Sequence, residues 1–185
     1  MGGHSFRRFI GKKVLVKGEV QTGKTRLLEG LLREALSSQK KLMSLIDMAP
    51  ERVTKGAFDA GGRVPVNEMR GLRVYRPAVV FAPRLQGRSR EEVLRMAEEN
   101  SSQIGAILDL FLEEPTPILF INDLTLYLHA GDPGKLKRVI DSAETFIGNA
   151  YEGESIGDDC GSGITGRERR LLKELEAFMD KVITL

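Results

Sequence analysis

The stretch Lys13-Val14-Leu15-Val16-Lys17-Gly18-Glu19-Val20-Gln21-Thr22-Gly23-Lys24-Thr25 decides how the rest of the chain is read. Its first five residues are a short apolar run with strand character, closed by Gly18. Then come a glycine, four intervening residues and Gly23-Lys24-Thr25, after which Leu27, Leu28, Leu31, Leu32, Ala35 and Leu36 recur at helical spacing. A strand, a glycine loop and a helix in that order let backbone N–H groups wrap an anion, with the positive end of the helix dipole behind them. In this pattern the lysine reaches the β- and γ-phosphates of a nucleotide and the threonine hydroxyl binds its magnesium. The expected nucleotide-binding residues are therefore Gly18, Glu19, Val20, Gln21, Thr22, Gly23, Lys24, Thr25 and Arg26.

Outward from this stretch, strands and helices alternate. Leu42 to Ile46 reads as the next buried strand, ending at Asp47, and Val53 to Val66 is glycine-rich without a clear period. Leu72 to Tyr75 and Ala78 to Phe81 read as strand pieces broken by Pro77. Ser89 and Glu92 form a capping box for a helix whose stripe is Val93, Met96, Ala97, Ile104, Ile107, Leu108 and Phe111. Pro115 and Pro117 forbid its continuation. Ile118 to Ile121 is a continuous apolar strand of the kind covered on both faces. Asp132-Pro133 opens a helix with Leu136, Val139, Ile140 and Ala143 inward, and Thr145 to Ile147 is a short strand. After a polar, glycine-rich loop from Glu152 to Gly163, Thr165 and Glu168 read as a second capping box, opening a helix lined by Leu171, Leu172, Leu175, Phe178 and Met179. Val182 to Leu185 is a last strand. The pattern predicts one α/β domain over residues 1–185, a mostly parallel sheet with helices on both faces.

Composition removes several classes. The formal net charge is +2, near balance, which argues against a surface built for nucleic acid. Cys160 is the one cysteine, so no intrachain disulfide or multi-cysteine metal site is expected. No apolar run is long enough for a bilayer and Met1 to Arg8 has no signal-peptide core, so a reducing cytoplasm is the expected address. His4 and His129 are far apart and read as surface polar residues.

The glycine loop and the order of elements resemble the P-loop NTPase superfamily. The place of the second acidic site resembles its RecA-like branch, where a strand intervenes between the cradle strand and that site. Ile118-Leu119-Phe120-Ile121-Asn122-Asp123-Leu124-Thr125 is similar to the corresponding strand of corrinoid adenosyltransferases and of circadian-clock-type RecA-like ATPases. Phe178 to Leu185 is similar to their last helix and strand. The resemblance implies a single-domain P-loop fold, ATP rather than GTP because no Asn-Lys-x-Asp stretch is present, and Mg2+. Aligned on Leu124-Thr125, Asn122 takes the magnesium position and Asp123 the water-orienting position; in the other register Asp123 is the magnesium acid and Asp47 supplies a further carboxylate. Asn149 falls where such ATPases place a γ-phosphate sensor. The candidate catalytic residues are thus Lys24, Asp123 and Asn149, and the candidate metal residues Thr25, Asn122, Asp123 and Asp47.

Between Arg63 and Arg90 stand seven arginines and one acid, Glu68. Arginine suits bidentate contact with phosphate or carboxylate. Arg84, Arg88 and Arg90 are the expected contacts to an anionic substrate or to a neighbouring subunit's nucleotide in a homo-oligomer, and the scarcity of aromatics disfavours nucleic acid. The leading expectation is a slow Mg-dependent ATPase coupled to a partner or assembly. The alternatives are an ATP-dependent small-molecule transferase (adenosyltransferase-like or a kinase, with Glu152 to Gly163, Arg167, Arg169 and Arg170 as its lid) and a regulatory module without turnover.

Overall fold

Buried apolar runs explain the sheet. In a strand, neighbouring side chains leave on opposite faces, so Val14 and Val16 enter one core cluster while Leu15 enters the other. The same division separates Ile118 and Phe120 from Leu119 and Ile121, and Leu45 from Ile46. Such strands are stable only when helices cover both faces. The computed structural model describes residues 4–55, 58–156 and 158–185.

Its elements in chain order are β1 (Lys13–Gly18), α1 (Lys24–Ser38), β2 (Met43–Asp47), β3 (Val53–Lys55), β4 (Phe58–Ala60), β5 (Leu72–Tyr75) and α2 (Pro83–Gln86). These are followed by α3 (Arg90–Glu113), β6 (Ile118–Asn122), α4 (Thr125–Leu128), α5 (Pro133–Asp141), β7 (Thr145–Tyr151), α6 (Ile164–Glu176) and β8 (Lys181–Thr184). Six strands form one sheet in the order β5-β2-β6-β7-β1-β8, with every pairing parallel. The pair β3 and β4 is a separate antiparallel hairpin. One face is covered by α1 (Leu28, Leu31, Leu32, Ala35) and by a 3-10 turn at Phe6–Phe9, the other by α3, α4, α5 and α6. The order puts β7 between β1 and β6, so the ends of β1, β7 and β6 lie side by side at one edge. Among the described residues no helix is long and apolar enough to cross a membrane.

Several expectations change. Ala78 to Phe81 is not a strand. The Asn100 side chain on α3 accepts from Phe81 N–H at 2.8 Å and donates to Phe81 C=O at 2.9 Å, so a side-chain amide takes the backbone groups that a neighbouring strand would have paired. Ser89 caps α3, its Oγ accepting from Glu92 N–H, but Glu92 reaches back to Arg88 N–H. Thr165 and Glu168 form no capping box: Gly163 caps α6 without a side-chain bond, and Glu168 points inward and is buried. β7 runs on to Tyr151, which places Asn149 inside the strand rather than after it. His129, expected at the surface, is 3% exposed.

Candidate functional site

The loop after β1 turns where only glycine fits. Gly18 has φ +150°, and a Cβ there would lie 2.4 Å from the Leu185 carbonyl oxygen of the chain running beside it. Lys24 and Thr25 open α1 behind Gly23, whose position offers no side-chain cap, so the helix's first N–H groups carry no side-chain partner from it. Lys24 Nζ donates to the Glu19 carbonyl and lies 6.0 Å from the centre of the Tyr151 ring. Burial lowers the Lys24 pKa, while the charges of Asp123 and Glu19 oppose that shift.

Glu19 holds the loop to the segment after β7. Its carboxylate accepts from Val20 N–H at 2.8 Å, Glu154 N–H at 2.9 Å and Ser155 N–H at 3.2 Å. Gly153 permits this approach, since a Cβ there would meet Glu19 Oε2 at 2.1 Å. Lys17 on β1 reinforces the clamp through Glu152 at 2.9 Å and Glu176 at 2.9 Å. Burial pushes the Glu19 carboxyl up, but the N–H donors of Val20, Glu154 and Ser155 outweigh it and bring the pKa down from 4.5 to about 2. A carboxylate with a depressed pKa holds its contacts fully above the unfolded value and loses them as pH falls through the folded one. The Val20, Glu154 and Ser155 amide resonances are therefore expected to titrate together with a midpoint near 2, and to lose that titration in Glu19→Gln. A midpoint at the ordinary 4.5 would show that the clamp does not form.

Around the end of β6 four polar side chains interlock. Asn122 Oδ1 accepts from Asn149 Nδ2 at 3.0 Å and from Thr25 Oγ1 at 3.4 Å, while Asn122 Nδ2 donates to Asp47 Oδ1 at 2.8 Å. Asn149 Oδ1 accepts from Asp123 N–H at 2.6 Å. Asn149 is thus spent on placing Asn122 and Asp123. Asp123 has φ +62°, in the left-handed region that side chains rarely occupy, which turns its carboxylate out of the strand direction. Burial raises the Asp123 pKa, against a Thr125 hydrogen bond and the charge of Lys24.

Asp47 stands apart from the other candidates. It is fully buried, and its Oδ2 accepts from Val64 N–H at 2.9 Å and from Arg76 Nη2 at 2.9 Å. With Oδ1 on Asn122, both oxygens are occupied, and Asp47 does not line the cleft. Its place is that of an anchor orienting Asn122, with Arg76 balancing its charge.

The cleft has a volume of about 400 Å³ and brings together Lys24, Thr25, Asn122, Asp123 and Asn149. Arg26 and Arg52 also line it, so cations outnumber the carboxylate of Asp123 there. Its size and charge suit a polyanionic small molecule. No protein-family model matches the chain and no curated protein matches it.

The arginine segment does not form one surface. Arg84 is withdrawn into a buried ion pair, Nη2 at 2.7 Å from Glu168 Oε2, whereas Arg88 and Arg90 are exposed. The charge of Arg84 is thus met within the chain, where a contact to an anionic substrate or a neighbouring subunit was expected. Arg73 pairs with Glu114 and Arg76 with Asp47. Sequence reasoning missed the group that Arg84 joins. Glu168 Oε2 also lies 2.7 Å from His129 Nε2, and the Arg84 guanidinium sits 5.2 Å from the centre of the Tyr151 ring. No spacing signal pairs residues 84, 129 and 168. Of the expected lid, Arg167 is spent on the carbonyls of Leu128 and Gly131, and Arg170 on Glu174.

Proposed function

We propose that the chain binds ATP with magnesium in this cleft and hydrolyses it slowly, as a single-domain P-loop NTPase of RecA-like arrangement. The observation that carries the reading is the meeting of Lys24 and Thr25, opening α1, with Asn122 at the end of β6, Asp123 just after it and Asn149 on β7, across a sheet in which β7 separates β1 from β6. The phosphates lie against the N–H groups of the loop and the start of α1, with Lys24 leaving the Glu19 carbonyl for them.

Among the described residues no cluster of three His, Cys, Asp or Glu side chains stands ready to hold a metal unaided. Magnesium fits regardless, because it takes one or two protein oxygens and completes its shell with phosphates and water. Thr25 Oγ1 and Asn122 Oδ1, 3.4 Å apart, are those oxygens. When bound, the ion neutralises charge on the β- and γ-phosphate oxygens.

Slow turnover follows from the remaining residues. Asn122 brings no charge, and the charge behind it on Asp47 is balanced by Arg76. Asp123 aligns the attacking water with a short side chain, and misplacement of about 1 Å costs roughly a hundredfold in rate. Asp123→Asn is expected to abolish phosphate release while ATP affinity is kept; full activity in that variant would move the catalytic carboxylate elsewhere. Asn122→Asp sets a second carboxylate against Asp47 Oδ1, where Asn122 Nδ2 now stands at 2.8 Å. That variant is expected to melt lower than wild type without magnesium and to regain stability when magnesium and ADP are added. Insensitivity to both would remove Asn122 from the metal-facing position. A second reading, phosphoryl transfer to a small acceptor, is favoured by a small cavity of about 50 Å³ that Asp123 shares with Arg84, Leu126 and His129.

A further inference from the structure

Behind Asp123 a smaller compartment of about 50 Å³ opens off the cleft, sharing Asp123, Gly61 and Ile156 with it. That is room for a few water molecules or a hydroxymethyl group. Its walls are apolar (Ala82, Pro83, Leu85, Leu126), apart from Asp123, Arg84 and His129. Which nitrogen of a neutral His129 ring carries the proton follows from its neighbours. Glu168 Oε2 already accepts from Arg84 Nη2 at 2.7 Å, and a carboxylate in an ion pair offers only lone pairs. The His129 Nε2 facing it at 2.7 Å therefore carries the ring proton. In that neutral ring Nδ1 holds a lone pair, and the atom is buried and without a hydrogen-bond partner among the described residues. A buried acceptor of this kind calls for a donor. The Arg84 charge is already matched by Glu168, so nothing here asks for an anion, and the apolar walls oppose an ammonium group.

We propose that this compartment is the acceptor site for a small neutral alcohol, whose hydroxyl donates to His129 Nδ1 beside Asp123. The proposal rests on the reading of the cleft as an ATP site. In the transfer, the alcohol oxygen forms a bond to the γ-phosphorus and the bond from that phosphorus to the β,γ-bridging oxygen breaks. ADP leaves with the electron pair, and the hydroxyl proton passes to His129 Nδ1, giving an imidazolium held against the Glu168 carboxylate. Glu168 and Arg84 are positioning residues: they fix the tautomer and hold the ring.

The chain has two histidines, so the ring nitrogens of His129 can be followed by nitrogen-15 NMR with His4 as the internal control. Expected are a protonated Nε2 and a bare Nδ1, and a saturable shift of Nδ1 as glycerol is added, with His4 unmoved. Tert-butanol, too bulky for the compartment, is expected to give no saturable shift. A proton on Nδ1, no response to glycerol, or an equal response to tert-butanol would overturn the proposal. Ala82→Phe, which fills the compartment, should remove the glycerol response. With ATP and magnesium present, phosphorus-31 NMR is expected to show glycerol phosphate beside inorganic phosphate. Its formation should fall roughly a hundredfold or more in His129→Phe, with ATP affinity retained. Inorganic phosphate alone sinks the acceptor role and leaves the ATPase reading standing. Loss of ATP binding altogether sinks that reading, and the tautomer and glycerol titration then still decide what the compartment binds.

Discussion

Replacing Lys24 with alanine is expected to weaken ATP binding by roughly thirty- to several-thousandfold, the equivalent of about 2–5 kcal/mol for truncating one partner of a desolvated charge pair. The cause is specific to this lysine. It is already half-buried at the mouth of the cleft, and its bonds within the protein are to a backbone carbonyl and, at longer range, to the charges of Asp123 and Glu19. A phosphate replaces the carbonyl with a full charge at no further cost in burying the lysine. Because the fold gains little from that one carbonyl bond, the melting temperature should move only slightly. Calorimetry with ATP and magnesium, beside thermal unfolding of both proteins, separates the two effects. Equal affinity in wild type and variant would remove ATP from the cleft, whatever else binds there.

The largest effect on stability is expected at Arg84. Arg84→Met keeps much of the side chain's volume but leaves Glu168 buried, 3% exposed at its side chain, without its arginine. Removing one partner of a buried pair costs about 3–5 kcal/mol. At roughly 2–4 °C per kcal/mol for a chain of this size, the melting temperature should fall by about 6–20 °C. The double variant Arg84→Met with Glu168→Gln should recover most of the loss, since a neutral amide needs no counter-ion and its oxygen can still accept from His129 Nε2. If the double variant is no more stable than the single one, the loss comes from the Arg84 packing on Tyr151 rather than from the stranded charge.

What was legible in the sequence was what is local or continuous. Lys24 and Thr25 could be placed because the loop and the helix it opens are contiguous, and β2 and β6 because a parallel strand covered on both faces reads as an unbroken apolar run. The end of β7 was not legible: Gly148 and Asn149 are poor strand formers, and there the pairing with β1 overrides propensity. Ala78 to Phe81 has the composition of a strand but is bound by a side-chain amide from a helix. The site divides in the same way. Asn122, Asp123 and Asn149 were found from strand ends, whereas the bonds that give them their places run to Asp47, Arg76 and Gly62, far away in the chain. Glu168 had the spacing of a cap, yet its partners, Arg84 and His129, lie 84 and 39 residues away, and no periodicity reports on such a pairing.

The two bonds from Asn100 to Phe81 have a wider reach. Where a strand would hang the chain between Pro77 and Pro83 on a ladder of many rungs, here Asn100 is the main hook, with a weaker one from Gln103 to Val79 at 3.3 Å. The next residues, Ala82 to Leu85, are a wall of the smaller compartment and carry Arg84 to Glu168. A change at Asn100 alters the slack of that wall without touching any group that meets a ligand. A random-mutagenesis search for altered acceptor choice is thus expected to return hits on α3, a helix that lines neither cavity.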